Sequence, residues 1–262
     1  MSLASSVLRI TRPSSSLLTC LSVLVPVYVR TGDAPLSLRR SAPLLLVSVC
    51  TFIANDLDDA EKDRVNHPDR PLASGELAPT VAAIIYFLCL ITTLLSIRLY
   101  IGATPMAFLY YATLTTWISY HYVVEYLPSI KAFYVATVST LPVVIVAAFF
   151  ANEITLRYVT VALFFFMLGR ELCKDLPDRP GDPTSRLHSV NPRRVAVVAF
   201  VIELFGLTLL TLVVSNWFGA AVLGTMAMFV TIAGLCWFRW HRTLVALKLM
   251  QCTLFLGLCL LI

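Results

Sequence analysis

Two stretches of this 262-residue sequence gather carboxylates at one repeated spacing. The first reads Asn55-Asp56-Leu57-Asp58-Asp59-Ala60-Glu61-Lys62-Asp63-Arg64 and sets Asp56, Asp59 and Asp63 at i, i+3 and i+7. The second runs from Arg170-Glu171 through Lys174-Asp175-Leu176-Pro177-Asp178 to Asp182, so Asp175, Asp178 and Asp182 repeat the pattern. Residues three and four apart share a face on a helix, and each stretch would therefore turn its aspartates to one side. Carboxylates so gathered repel, because two unit charges about 4 Å apart cost on the order of 4 kcal/mol at an effective dielectric of 20. Such a site calls for cations. Oxygen ligands from the aspartates and the Asn55 amide select a hard ion. Mg²⁺ characteristically shares its shell among one or two carboxylates, waters and substrate phosphates. A diphosphate bridging two acidic helices through Mg²⁺ is the chemistry the pattern fits, and an ion-coupled transporter is the rival use for such acids.

The elements that must position these residues are membrane helices. Hydrophobic residues make up 58% of the chain and charged ones 13%, with a mean hydropathy of +0.83, so water is not the solvent for most of its surface. A span needs about 20 mostly apolar residues. Apolar runs recur at roughly 14–29, 41–55, 80–100, 104–122, 132–151, 154–173, 195–214, 217–237 and 243–262, which predicts an all-α polytopic protein of about nine spans. The second run is short for a crossing, which implies that its helix continues into the polar sequence beginning Asn55-Asp56. With the N-terminus inside, fourteen Lys and Arg fall on that side and five (Arg30, Arg39, Arg40, Arg98, Arg157) on the other. This asymmetry predicts a cytoplasmic N-terminus in a multi-pass membrane protein. Both aspartate-rich segments, about 56–79 and 174–194, then lie on the cytoplasmic side.

The net charge of +5 does not indicate nucleic acid, since the basic residues fall singly between apolar runs. The seven scattered cysteines include no Cys-x-x-Cys pair and read as small buried apolar residues.

With these features assembled, the sequence resembles the UbiA superfamily of intramembrane prenyltransferases. Asn55-Asp56-x-x-Asp59-x-x-x-Asp63 matches the first motif of that family, and Arg64-x-Asn66-x-Pro68-x-Arg70-Pro71-x-x-Ser74-Gly75 its continuation. The stretch from Arg170 to Asp182 looks like the second motif, and Arg12-Pro13 before the first span also fits. The resemblance implies one transmembrane prenyltransferase domain over 1–262, with helices surrounding a central cavity. It implies Mg²⁺ held by Asn55, Asp56, Asp59, Asp63, Asp175, Asp178 and Asp182, with Asp59, Asp63, Asp178 and Asp182 central to catalysis. The expected partners are a prenyl diphosphate, an aromatic small-molecule acceptor and membrane lipid. One departure concerns the loop Tyr120 to Lys131, where Glu125 stands at the position of the first lysine of the family when Pro128 and Lys131 are aligned. Alternatively, Tyr126 and Lys131 fill that role. A terpene cyclase on the same scaffold, needing no acceptor, is the second reading.

The chemistry assigns further expectations. Lys62, Arg64, Arg70, Arg170 and Lys174 would neutralise phosphate charge, the arginines with bidentate geometry, and the resemblance adds Arg12 and Lys131 as diphosphate-binding residues. Lys62 and Lys174 need not face the site and have snorkelling as an alternative. Aromatic residues such as Trp117 and Phe166 are candidates for shielding an allylic cation from water. Glu203, an acid inside the seventh run, is either functional or an interhelical hydrogen-bond donor in protonated form.

Overall fold

Apolar runs become helices because lipid offers backbone groups no hydrogen-bond partner, so the chain must satisfy them internally. In the computed structural model, which describes residues 3–174, 192–212 and 217–238, every regular element is helical. The helices are α1 (Leu3–Ile10), α2 (Pro13–Thr31), α3 (Ala34–Asp58), α4 (Ala60–Asn66), α5 (Pro79–Ser96), α6 (Pro105–Ile118), α7 (Tyr120–Tyr126), α8 (Lys131–Phe149), α9 (Ile154–Lys174), α10 (Pro192–Thr211) and α11 (Trp217–Phe238). A π-helical turn, Ile97–Ile101, continues α5, and a 3₁₀ turn, Pro128–Ile130, leads into α8. Eight of the nine apolar runs coincide with α2, α3, α5, α6 and α8 to α11, while the run 243–262 lies outside the described residues.

Length and apolar composition pick out the helices among the described residues that could cross a membrane. Four are long and apolar enough: Pro13–Thr31, Ala34–Asp58, Pro79–Ile101 and Lys131–Phe149. The 14 residues of α6 reach roughly 21 Å at 1.5 Å per residue, short of a hydrocarbon core about 30 Å thick.

Between Tyr126 and Leu127 the described chain divides into two units. In the first, α3 is the central element, packed by α2, α5 and α6. It starts earlier than its apolar run because Asp33 caps it, accepting a hydrogen bond from Leu36 N at 2.8 Å, with Pro35 in the first turn. Inside α3, Pro43 lacks the N–H that would bond the carbonyl of Arg39. One residue on, Tyr110 of α6 donates its hydroxyl to the Arg40 carbonyl at 2.7 Å, tying α6 to α3 beside the proline. Beyond its apolar run α3 continues to Asp58, carrying Asn55 and Asp56 on its last turn. A buried cluster of Ile10, Ile53, Leu72, Leu77 and Ala82 joins α1, this end of α3, the 67–78 loop and the start of α5.

The second unit packs α8 on α9, α9 on α10 and α10 on α11. Glycine lets α9 and α10 approach closely: a Cβ at Gly169 would sit 2.7 Å from Cγ of Glu203 and 2.9 Å from the Ala199 carbonyl oxygen, and one at Gly206 3.0 Å from the Ala162 carbonyl oxygen. Small residues at helix contacts are the usual means of close packing in lipid. Phe133, Phe164, Phe165 and Phe205 form a chain of edge-to-face contacts with centroids 4.8–5.4 Å apart across α8, α9 and α10. Phe166 of α9 is likewise buried, as is Trp117 of α6 in the first unit.

Candidate active site

The first aspartate cluster is split across a break in the helix. Asp59, at φ −90° and ψ 4°, separates α3 from α4. Backbone bonding nevertheless runs through the break, Asp59 N donating to the Asn55 carbonyl at 2.9 Å and Asp63 N to the Asp59 carbonyl at 2.8 Å. The one-face arrangement expected from the spacing therefore persists, with Asp56 and Asp63 buried and Asp59 and Asn55 partly exposed.

Each acid has a cation. Arg12, between α1 and α2, donates to Asp56 Oδ1. Arg70, in the loop after α4, donates to Asp63 Oδ2 at 2.5 Å and lies 3.5 Å from Asp56 Oδ1, so it bridges the two buried carboxylates. Lys62 lies 3.7 Å from Asp59, one turn away. Arg64 is exposed. Burial pushes the Asp63 carboxyl above its ordinary value of 3.8, outweighing the opposing pull of Arg70, and Asp59 and Asp56 add to the rise.

Arg12 carries strain. Its backbone lies at φ 43° and ψ 64°, and it is the one non-glycine residue with positive φ among the described residues. Left-handed backbone at such a residue costs about 1–3 kcal/mol, and Pro13 biases the residue before it toward extended geometry instead. The guanidinium also lies 5.0 Å over the Phe52 ring, a cation–π contact that helps fix it.

The sequence left unnoticed what holds α1. Arg9 Nη1 pairs with Glu76 Oε2 at 2.9 Å, Ser6 Oγ donates to the same oxygen at 3.3 Å, and Arg9 also donates to the Asp69 carbonyl. Gly75, at φ 77°, makes the left-handed turn that presents Glu76. The only signal available was the Arg9-x-x-Arg12 spacing, which does not name a partner.

Magnesium fits the first cluster in a restricted sense. Among the described residues no three His, Cys, Asp or Glu side chains converge into a cage. The donors are hard carboxylate oxygens already surrounded by Arg12, Arg70 and Lys62, an arrangement suited to an ion that completes its shell with phosphate oxygens and water.

In the second unit, Lys131 is the first residue of α8, and Arg170 donates to the adjacent buried Glu171 near the end of α9. Lys174 is the last residue of α9. Asp175, Asp178 and Asp182 lie outside the described residues. Glu203 of α10 is buried against Gly169, and its Oε2 has no hydrogen-bond partner among the described residues. Glu125 and Tyr126 are exposed on α7.

Comparison with known proteins converges on one family. Residues 17–255 match the UbiA prenyltransferase family. A digeranylgeranylglyceryl phosphate synthase of Methanoculleus marisnigri is 26% identical over 239 residues, covering 86% of this chain and 82% of that protein. Among solved structures, one described as giving structural and mechanistic insights into digeranylgeranylglyceryl phosphate synthase in membranes superposes with a TM-score of 0.68 at 17% identity, over 98% of both chains. The apo structure of a UbiA homologue from Aeropyrum pernix gives 0.72 at 14% identity, over 94% of this chain and 96% of that one. These likenesses show the fold, and the match over most of the sequence shows the lineage: the chain belongs to the UbiA prenyltransferase family.

Proposed function

We propose that this protein is a Mg²⁺-dependent intramembrane prenyltransferase, a single domain with about nine spans and a cytoplasmic N-terminus, that moves an isoprenoid from its diphosphate to a hydroxyl of a glyceryl phosphate lipid. The observation that carries the reading is the charge-balanced cluster of Asp56, Asp59 and Asp63 with Arg12, Arg70 and Lys62 at the end of a membrane-length helix. The acceptor differs from the aromatic one expected from the sequence. Aromatic acceptors draw no support from the relatives, whose name is that of a synthase of a glyceryl phosphate bearing two geranylgeranyl groups.

In this reading Asn55, Asp56, Asp59 and Asp63, together with Asp175, Asp178 and Asp182, would hold the metal. Bound there, Mg²⁺ supplies Lewis-acid stabilisation of a departing diphosphate. Arg12 and Arg70 are placed to turn guanidinium hydrogens to phosphate oxygens, with Lys62, Arg64, Lys131, Arg170 and Lys174 as further phosphate-binding candidates. The allylic carbon–oxygen bond breaks with its electron pair leaving on diphosphate. An acceptor oxygen lone pair then captures the allylic cation, and the hydroxyl proton departs.

Purified protein in detergent, given Mg²⁺ and geranylgeranyl diphosphate, tests this with three acceptor conditions: geranylgeranylglyceryl phosphate, a hydroxybenzoate, and none. Diphosphate release that depends on the glyceryl phosphate is expected. Release only with the aromatic acceptor would replace the acceptor assignment, acceptor-free hydrocarbon would replace transfer by cyclisation, and no release from folded protein would overturn the reading.

A further inference from the structure

Arg12 is held in a way that a simple phosphate-binding residue would not require. It is tied to a buried carboxylate, Asp56 at 3% exposure, through a left-handed backbone that Pro13 disfavours. The helix before it is latched down at separate points: Arg9 and Ser6 on Glu76, Arg9 on the Asp69 carbonyl, and Ile10, fully buried, in the cluster with Ile53, Leu72 and Leu77. Release of Arg12 would not leave Asp56 without a cation, because Arg70 lies 3.5 Å from the same Oδ1. The guanidinium of Arg12 and a divalent cation would compete for the one carboxylate of Asp56.

We infer that Arg12 is an exchangeable counter-ion, positioned by the Arg9–Glu76 latch, that yields Asp56 to the metal only as it passes to a diphosphate oxygen. This rests on the diphosphate reading of the site and adds an order to it. Asp56 and Arg12 would take metal and diphosphate together, each ligand favouring the other. Arg12 would have to give up Asp56 for a metal bound alone, whereas a diphosphate bound with the metal would give Arg12 a new anion. Arg12 thereby couples the two ligands, and Arg9 and Glu76 act as positioning residues.

The test is Mn²⁺ binding, read by electron paramagnetic resonance on the full chain in detergent, with and without methylenediphosphonate. Wild-type affinity for Mn²⁺ is expected to rise about 10-fold with the diphosphonate. Arg12→Ala should bind Mn²⁺ alone about 5-fold more tightly than wild type and lose most of the coupling, while Arg12→Lys retains part of it. In an Asp56→Asn background, substitution of Arg12 should leave the affinity for Mn²⁺ alone unchanged, which separates this cluster from the second. Glu76→Gln should raise KM for the prenyl diphosphate roughly 3-fold with kcat little altered. Unchanged or weaker binding of Mn²⁺ alone in Arg12→Ala, an Arg12 effect on Mn²⁺ alone that survives Asp56→Asn, or the absence of coupling in wild type overturns the inference. Wild-type diphosphate release, measured separately, reports on the underlying reading: turnover combined with Arg12-independent metal binding sinks the counter-ion exchange alone.

Discussion

Asp56 and Asp63 in the first unit and Glu203 in the second are buried to a similar degree, at 3%, 5% and 1% exposure, yet their surroundings differ in kind. The two aspartates are answered by Arg12 and Arg70, delivered by segments outside their own helices. Glu203 meets Gly169 on the neighbouring helix, and its Oε2 has no hydrogen-bond partner among the described residues. A buried charge is tolerated when paired and hydrogen-bonded, and the first arrangement supplies those partners. The second is a packing arrangement in which the acid fills the space left by a missing Cβ. The lesson is that burial of an acid does not by itself mark a site. The cations aimed at it do.

The largest effect expected from this contrast is on turnover. Asp59→Ala should lower diphosphate release at least roughly 100-fold, on the scale of losing one electrostatic stabiliser, while eluting from size exclusion as wild type does. Asp178→Ala should behave alike under the proposed two-cluster reading. Glu203→Gln, by contrast, should turn over within about 3-fold of wild type, and a loss matching that of Asp59→Ala would erase the distinction drawn here.

Next comes packing. Gly169→Leu puts side-chain atoms where Cγ of Glu203 and the Ala199 carbonyl already stand, and overpacking of this kind costs about 1–3 kcal/mol. Thermal unfolding in detergent should show it as a lowered midpoint, and an unchanged midpoint would mean that α9 and α10 are not held at this distance.

A subtler consequence concerns pH. Because the Asp63 carboxyl is raised above 3.8 by burial, the folded protein holds that proton to higher pH than the unfolded chain does. Stability contributed by this group is fully present below pH 3.8 and declines as pH rises through the folded value. Asp63→Asn should flatten that decline in unfolding profiles recorded upward from pH 4, and a steeper decline in the variant would reverse the assignment of burial over Arg70 as the dominant influence. The smallest effect belongs to Gly224→Ala in α11, where a Cβ meets nothing within 4 Å. Helix propensity alone applies there, and a gain of about 0.5–1 kcal/mol is expected, against the loss at Gly169.

How much was legible follows from the range of the forces involved. Helix positions follow the apolar runs because span length and backbone satisfaction in lipid are local requirements. The early start of α3 was also written locally, in Asp33 and Pro35, but Arg39 and Arg40 made that stretch look polar. Lys62 could not be placed from sequence because a break at Asp59 decides which way α4 turns it.

The sequence by itself determined the membrane-suited composition, the helical runs and the shared face of Asp56, Asp59 and Asp63, since each depends on periodicity over a few residues. Only the tertiary structure decided which cation answers which acid. Arg12 reaches Asp56 across 44 positions and Arg9 reaches Glu76 across 67. Contacts that distant arise from how α1 and the 67–78 loop pack on the end of α3, and no local spacing encodes them.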